Sequence, residues 1–153
     1  MDNIDLKIIR ELQKNGRITN QELADKVHLS PSPCLRRLKK LEASGVIRGY
    51  TAVVDRNLYG LPISVFAMIR LNSHDTATIS QFESCISDIE EIIECFLMAG
   101  SHDYLLHIVA ATLQDYELFM KEKLNAVPGI AAIESNIAFG TVKQTPILPG
   151  VQR

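Results

Sequence analysis

Four basic side chains follow a proline-rich stretch in the first third of this chain. The segment LSPSPCLRRLKKLE (residues 29–42) has no acidic residue before its last position and contains Arg36, Arg37, Lys39 and Lys40. Guanidinium and ammonium groups at this density bind anions, and nucleic-acid phosphates are the anions that most often meet such a surface. The residue types therefore predict an anion-binding helix, with DNA as the candidate partner.

The charge of the whole chain is small but unevenly divided. The 153 residues carry a formal net charge of −2. Residues 1–50 hold ten Lys/Arg and six Asp/Glu, a net of +4, whereas residues 51–153 hold six Lys/Arg and twelve Asp/Glu, a net of −6. A basic end on an acidic molecule favours nucleic-acid binding by the first 50 residues. The charge run taken alone is equally compatible with a solvated helix face.

Two helices are predicted ahead of the basic segment. Apolar residues keep helical spacing within residues 2–15, and Asn15-Gly16 is a stop signal. Thr19 precedes Glu22 by three positions, which is the spacing of a capping box at the start of a second helix.

The prolines begin the third helix and do not interrupt it. With Ser30 as N-cap, Pro31 and Pro33 occupy first-turn positions, where a backbone N–H has no partner within the helix. Leucines at every third position from Leu35 to Leu41 are predicted to face inward, which turns the basic side chains outward. The helix start is also suited to phosphate contact. The predicted DNA contacts are Ser30, Ser32, Pro33, Arg36, Arg37 and Lys40.

Three short helices with a tight second connection predict a helix-turn-helix whose third helix enters the major groove. We expect residues 1–50 to form this DNA-binding domain. Val53 and Val54 favour extended structure, so residues 51–62 are predicted to be a wing or linking strand.

The second half, residues 63–153, alternates strand and helix patterns. The predicted order is βαββαβ, an α+β sandwich of the ferredoxin-like type. The strand segments are 64–71, 92–99, 104–111 and IAAIESNIAFGTVK from Ile130, and the helical segments are 76–89 and 113–127, the latter with Leu113, Tyr116, Phe119 and Leu124 inward.

The strands of this half are apolar on both faces. In the first, Val65 and Ala67 alternate with Phe66 and Met68. Helices cover one face of such a sandwich, so the other face needs a different cover. A second copy, related by a two-fold axis, is the predicted partner.

The sequence resembles the Lrp/AsnC family of transcription regulators over essentially its whole length. The segments that carry the resemblance are DLKIIRELQKNGRITNQELADKVHLSPSPCLRRLKKLEASGVIRGY and MAGSHDYLLHIV, and SPSPCLRRLKKLE is similar to the leucine-responsive branch. The resemblance implies a plain or winged helix-turn-helix, a linking strand and a ligand-sensing RAM-type domain. It also implies homodimers that assemble into octamers or related discs.

The resemblance further implies an amino-acid effector, bound near the hairpin LMAGSHDYL between the second and third strands. On this resemblance, Gly100 is expected to bring backbone N–H groups close to the carboxylate of the effector, and Asp103 is expected to bind its ammonium. A tight hairpin would also use both residues without any ligand. The effector residues implied are Leu97, Met98, Gly100, His102, Asp103, Tyr104, Ile133 and Ser135.

Other classes of function find less support in the residues. The three cysteines, Cys34, Cys85 and Cys95, have neither CxxC spacing nor a nearby histidine, so no metal site or disulfide framework is expected. No cofactor and no catalytic set is visible, which argues against an enzyme or stand-alone binding module on the same fold. No signal peptide or membrane span is expected, and we expect a cytoplasmic protein. An architectural DNA-compacting protein without effector remains an alternative.

Overall fold

The structure, a computed structural model, describes residues 1–150, which divide into two compact units. Among these residues, the helical unit comprises 1–53 and 143–150, and the sheet unit comprises 54–142. The sequence predicts one sensing domain over residues 63–153, but residues 143–150 lie on the helical unit, where Gln13 Nε2 donates a hydrogen bond to the Pro146 carbonyl at 3.0 Å.

The helical unit contains α1 (Asn3–Lys14), α2 (Asn20–Val27) and α3 (Pro31–Ala43). The predicted capping box is confirmed, since Thr19 Oγ1 accepts from the Glu22 N–H and Glu22 Oε2 accepts from the Thr19 N–H. His28 adopts a left-handed conformation with φ 58° and ends α2. The turn between α2 and α3 is therefore only three residues long, as a helix-turn-helix requires.

The helical core differs from the predicted one at a single turn of α3. Leu35 is 40% exposed, whereas the Cys34 side chain is fully buried. A spacing of three residues drifts around a 3.6-residue helix, so the inward set is Cys34, Leu38 and Leu41 at intervals of four and three. The buried residues of this unit are Ile8, Leu23, Ala24, Val27, Cys34 and Leu41.

The predicted linking strand is absent from the described structure. Residues 51–55 have no regular structure, and Val53 is 85% exposed. A four-residue helix, α4 (Arg56–Tyr59), follows. β-branched residues favour strands only where a neighbouring strand completes the hydrogen bonds, and no strand in residues 1–150 pairs with this segment.

The sheet unit has the predicted βαββαβ order. The elements after α4 are β1 (Ile63–Leu71), α5 (Thr76–Ser87), β2 (Ile92–Leu97), β3 (Tyr104–Ala110), α6 (Leu113–Glu122), a 3₁₀ turn (Leu124–Ala126) and β4 (Ile130–Ala138). The four strands form one antiparallel sheet in the order β2-β3-β1-β4.

One face of this sheet forms the core beneath α5 and α6. Val65, Ala67 and Ile69 are fully buried on it, as are Leu106 and Ile108. The prediction for α6 holds for three of its four inward residues, because Tyr116, Phe119 and Leu124 are buried. Leu113, the first residue of α6, is 53% exposed.

Candidate functional site

The start of α3 leaves few donors for an anion. Ser30 is the N-cap, but its side chain makes no capping hydrogen bond. Pro31 and Pro33 have no N–H, and the Cys34 N–H donates to the Ser30 carbonyl at 3.2 Å. The backbone N–H of Ser32 is therefore the only first-turn donor that remains, together with the hydroxyls of Ser30 and Ser32.

The outer face of α3 is basic and solvated. Ser32, Arg36 and Lys40 are exposed, and their four-residue spacing puts them on one face. Within residues 1–150, neither Arg36 nor Lys40 has a carboxylate oxygen within 4.0 Å. These two cations are therefore available to an external anion.

Arg37 faces a different direction and already has partners. Its Nη1 lies 2.8 Å from Asp2 Oδ2 and 2.8 Å from Asp5 Oδ1, both at the start of α1. The Asp5 and Asp2 side chains raise the pKa of the Arg37 guanidinium. Of the two arginines predicted to meet DNA, only Arg36 has no partner in the described chain.

The hairpin between β2 and β3 is closed by the backbone of Asp103. The Met98 N–H donates to the Asp103 carbonyl at 2.8 Å, and the Asp103 N–H donates to the Ile69 carbonyl at 2.8 Å. Gly100 has φ 150°, at the margin of the region that favours glycine. Leu97 is 76% exposed beside it.

The Asp103 carboxylate joins three elements. Its Oδ2 accepts from the Leu71 N–H at 2.7 Å, and its Oδ1 lies 2.8 Å from His74 Nε2. The Leu71 N–H and then His74 lower the pKa of Asp103. Asp103 therefore fixes the end of β1 with its carboxylate and closes the hairpin with its backbone, both without a ligand.

Three residues implied for the effector site lie on the helix-facing side of the sheet. Strand alternation turns Tyr104 into the core against Phe82, and its hydroxyl donates to Glu83 Oε1 at 2.7 Å. Burial, followed by Glu83, raises the pKa of Tyr104 to about 12. Ile133 and Ser135 pair with core-facing residues of β1, and Ser135 Oγ lies 2.6 Å from the Tyr116 hydroxyl.

Two residues at this site were missed from the sequence. His74 contacts Asp103, and Glu134 Oε2 lies 3.6 Å from His102 Nε2. Each is about thirty positions from its partner, and no local sequence signal connects them. His102 of the hairpin thus has the Glu134 carboxylate of β4 near its ring, and Asp103 is its neighbour in the chain.

A groove of about 380 Å³ runs between α5 and β2 next to the hairpin. Its lining is mostly apolar with two carboxylates. The lining residues are Glu83, Ile86, Ser87, Ile92, Ile93, Glu94, Cys95, Leu97 and Tyr104.

The sheet face opposite the helices combines apolar residues with one polar row. Phe66 stacks on His107 with ring centroids 4.5 Å apart. His107 Nε2 lies 3.0 Å from Ser64 Oγ and 3.2 Å from Arg56 Nη1, while its Nδ1 lies 2.9 Å from Glu94 Oε2. His107 is therefore a satisfied structural histidine at the centre of this face.

Two negative findings concern the described residues. Residues 1–150 contain no group of three or more His, Cys, Asp or Glu placed to hold a metal ion. No helix in the same range is long and apolar enough to cross a membrane.

A helix-turn-helix with a solvated basic face, followed in the chain by an α+β sandwich, is the domain order of a DNA-binding regulator with a ligand-binding domain. A family model described as winged helix-turn-helix DNA-binding matches residues 1–48, and the Lrp/AsnC ligand binding domain matches residues 64–148. The chain belongs to the Lrp/AsnC family of transcription regulators.

Two curated relatives carry the names of regulatory proteins. The leucine-responsive regulatory protein of Haemophilus influenzae is 40% identical over 97% of this chain and 89% of its own length. The transcriptional regulator AzlB of Bacillus subtilis is 36% identical over 97% of this chain and 95% of its own length.

Solved structures agree with this assignment. A transcriptional regulator from Neisseria meningitidis in complex with L-Met has a TM-score of 0.92 and 34% identity, covering 97% of this chain and 96% of that one. An AsnC family regulator from Agrobacterium tumefaciens has a TM-score of 0.92 and 36% identity, covering 97% of both chains.

Proposed function

We propose that α3 lies in the major groove of operator DNA, with Arg36 and Lys40 as its main contacts. The observation that carries this proposal is their exposure on one face without an ion-pair partner in the described chain. Ser30, Ser32 and Pro33 precede them at the helix start, where a hydroxyl or the Ser32 N–H can donate to a backbone phosphate. Function in transcription also leads us to place the protein in the cytoplasm.

The test is DNA affinity measured by fluorescence anisotropy. The probe is a duplex that the wild-type protein selects from a random-sequence pool. Arg36→Ala should weaken binding, whereas the control Lys7→Ala removes one exposed positive charge from α1 and should change affinity little. Equal losses in the two variants would overturn the placement of α3.

We propose an amino acid as the effector, bound at the hairpin. The support is the Asp103 carboxylate beside the exposed Leu97 and Met98, together with the L-Met complex of the Neisseria relative. The ammonium of the amino acid contacts Asp103 Oδ1 in place of His74, and backbone N–H groups around Gly100 receive its carboxylate. Tyr104, Ile133 and Ser135 face the helix layer, so Leu97 and Met98 supply the apolar wall.

Calorimetric titration of the twenty amino acids tests this site, with sedimentation of each complex beside it. We expect at least one to bind and to change the size of the assembly or its DNA affinity. If none binds, the effector-independent architectural protein becomes the better account.

We propose a homodimer through the open sheet face, which can assemble further. Phe96 is 47% exposed on this face, close to the polar row around His107. Phe96→Asp should give monomers by light scattering at micromolar concentration, because it places a charge in an apolar interface. Leu113→Asp, on the helix layer, is the matched control and should leave the dimer intact. A wild-type monomer would contradict the proposal.

A further inference from the structure

The start of α1 presents two carboxylates that its own backbone holds in place. Asp2 Oδ1 accepts from the N–H groups of Ile4 and Asp5, both at 2.9 Å, and Asp5 Oδ2 accepts from the Asp2 N–H at 2.9 Å. This reciprocal arrangement is a capping box with two aspartates. The second oxygen of each carboxylate is left for Arg37.

Arg37 meets carboxylates that are already oriented. Because capping fixes both aspartates, the guanidinium gains two charge-assisted contacts without ordering two flexible partners. The Asp5 side chain is 14% exposed and that of Arg37 is 33% exposed, so water screens the pair less than it would on an open surface. Arg37 is therefore held against α1 by contacts that do not involve DNA.

The same carboxylates stand beside the DNA-facing side chains. Met1, Asp2 and Asp5 line one shallow depression together with Arg36, Arg37 and Lys40. Without Arg37 between them, the two negative charges would face the phosphates that Arg36 and Lys40 bind. Arg37 thus separates an acidic surface from a basic one.

We propose that Arg37 is a positioning residue for α3. It fixes α3 to the start of α1 through Asp2 and Asp5, and this holds α3 in the orientation in which Arg36 and Lys40 contact DNA. Arg37 itself contributes no phosphate contact. This inference depends on the proposed placement of α3, and it replaces the sequence-based assignment of Arg37 as a DNA contact.

The experiment measures DNA affinity of the full chain as a function of salt, with the selected duplex as probe. Affinity falls as salt rises, and each phosphate that a side chain neutralises adds about 0.9 to the magnitude of the negative slope of log K against log salt. Arg37→Gln should lower affinity severalfold with the wild-type slope retained. Arg36→Gln serves as the reference: a lost phosphate contact lowers the slope, and a lost base contact lowers discrimination against single-base changes in the duplex.

A cycle of variants tests whether Arg37 acts through the aspartates. Asp5→Asn keeps an oxygen that can cap α1 but removes the charge that Arg37 contacts. We expect Asp5→Asn to lower affinity with the slope unchanged, and to add little in the Arg37→Gln background. We also expect Arg36→Gln to lower DNA affinity by a smaller factor in the Arg37→Gln background than in the wild type. A change of stability alone would not produce this coupling at a temperature where every variant is folded.

Three results would overturn the inference. A slope reduced by about 0.9 in Arg37→Gln would make Arg37 a phosphate contact. A steeper slope and tighter binding in Asp5→Asn would mean that the aspartates withhold Arg37 from DNA. Wild-type affinity in Arg37→Gln, while Arg36→Gln is impaired, would remove Arg37 from DNA binding and leave the proposed role of α3 standing. If Arg37→Gln does not fold, Asp5→Asn decides by the same slope and affinity.

Discussion

Arg37 in the helical unit and Asp103 in the sheet unit are both charged residues whose types predicted contact with a ligand, and both already have partners within the chain. Arg37 meets two carboxylates fixed by helix capping. Asp103 meets one backbone N–H and the side chain of His74, which is 69% exposed. A ligand would have to separate Arg37 from two fixed charges, but it need only displace a solvated imidazole from Asp103.

This difference distinguishes a residue that positions a helix, Arg37, from a residue that can bind a ligand, Asp103. Because the His74 imidazole is largely solvated, an ammonium can replace it at Asp103 at small cost. The Arg37 guanidinium, held between two oriented carboxylates, loses more interaction free energy than His74 does when a ligand displaces it. The environment of each charge, and not its type, decides which one remains open to a ligand.

The largest expected effect is on effector binding in Asp103→Asn. The asparagine keeps an oxygen for the Leu71 N–H but loses the charge that receives an ammonium. Affinity for the responsive amino acid should fall by about 1.5–3 kcal/mol, the range for a hydrogen bond to a charged group, as read by calorimetry. Basal DNA binding should persist. Undiminished affinity would move the effector site away from Asp103.

Comparison of Asp103→Ala with Asp103→Asn distinguishes the structural role of Asp103 from its role in ligand binding. It leaves the Leu71 N–H without its acceptor, so the free energy of unfolding should fall by about 1–3 kcal/mol relative to Asp103→Asn. Urea denaturation of both variants measures the difference. Equal stability would show that water replaces the carboxylate at the end of β1.

The next effect concerns DNA and the neighbouring arginines. Arg36→Ala should lose about 1–3 kcal/mol at the selected duplex if Arg36 reads a base, with discrimination at that base pair reduced. Gel-shift titration against single-base variants of the duplex measures it. A uniform loss across all variants would instead assign Arg36 to a phosphate.

A smaller effect is expected at His74. His74→Ala removes the partner that an ammonium must displace, so effector affinity should rise by up to about 1 kcal/mol. Ser73→Ala, one residue away on the same loop, is the control. Weaker effector binding in His74→Ala would mean that His74 contacts the ligand and is not displaced by it.

The smallest effect is the acid dependence of the same carboxylate. Because the pKa of Asp103 is lower in the folded chain than its ordinary value of 3.8, its stabilisation is complete above that value and is lost as the pH falls through the lowered pKa. The difference in unfolding free energy between wild type and Asp103→Asn should therefore shrink below pH 3.8. A constant difference down to pH 2 would exclude this contribution.

Local patterns in the sequence predicted most elements because their signals lie within one turn or one strand. The Thr19 and Glu22 spacing, the prolines that open α3 and the βαββαβ alternation were each read within a few residues and are confirmed. Errors arose where the pattern was incomplete. Leucines every three residues suggested Leu35 in place of Cys34, and Val53 suggested a strand although no neighbouring strand was available.

By itself the sequence determined the class of each unit, the basic outer face of α3 and the hairpin around Gly100, since propensity, capping and amphipathic spacing are properties of neighbouring residues. Only the tertiary structure decided which charges remain free. Arg37 finds Asp2 and Asp5 more than thirty residues away, and Asp103 finds His74 across the sheet unit. Folding brings these distant groups within hydrogen-bond distance. Because the interaction between polar or charged groups strengthens as their separation falls, that proximity sets the role of each side chain.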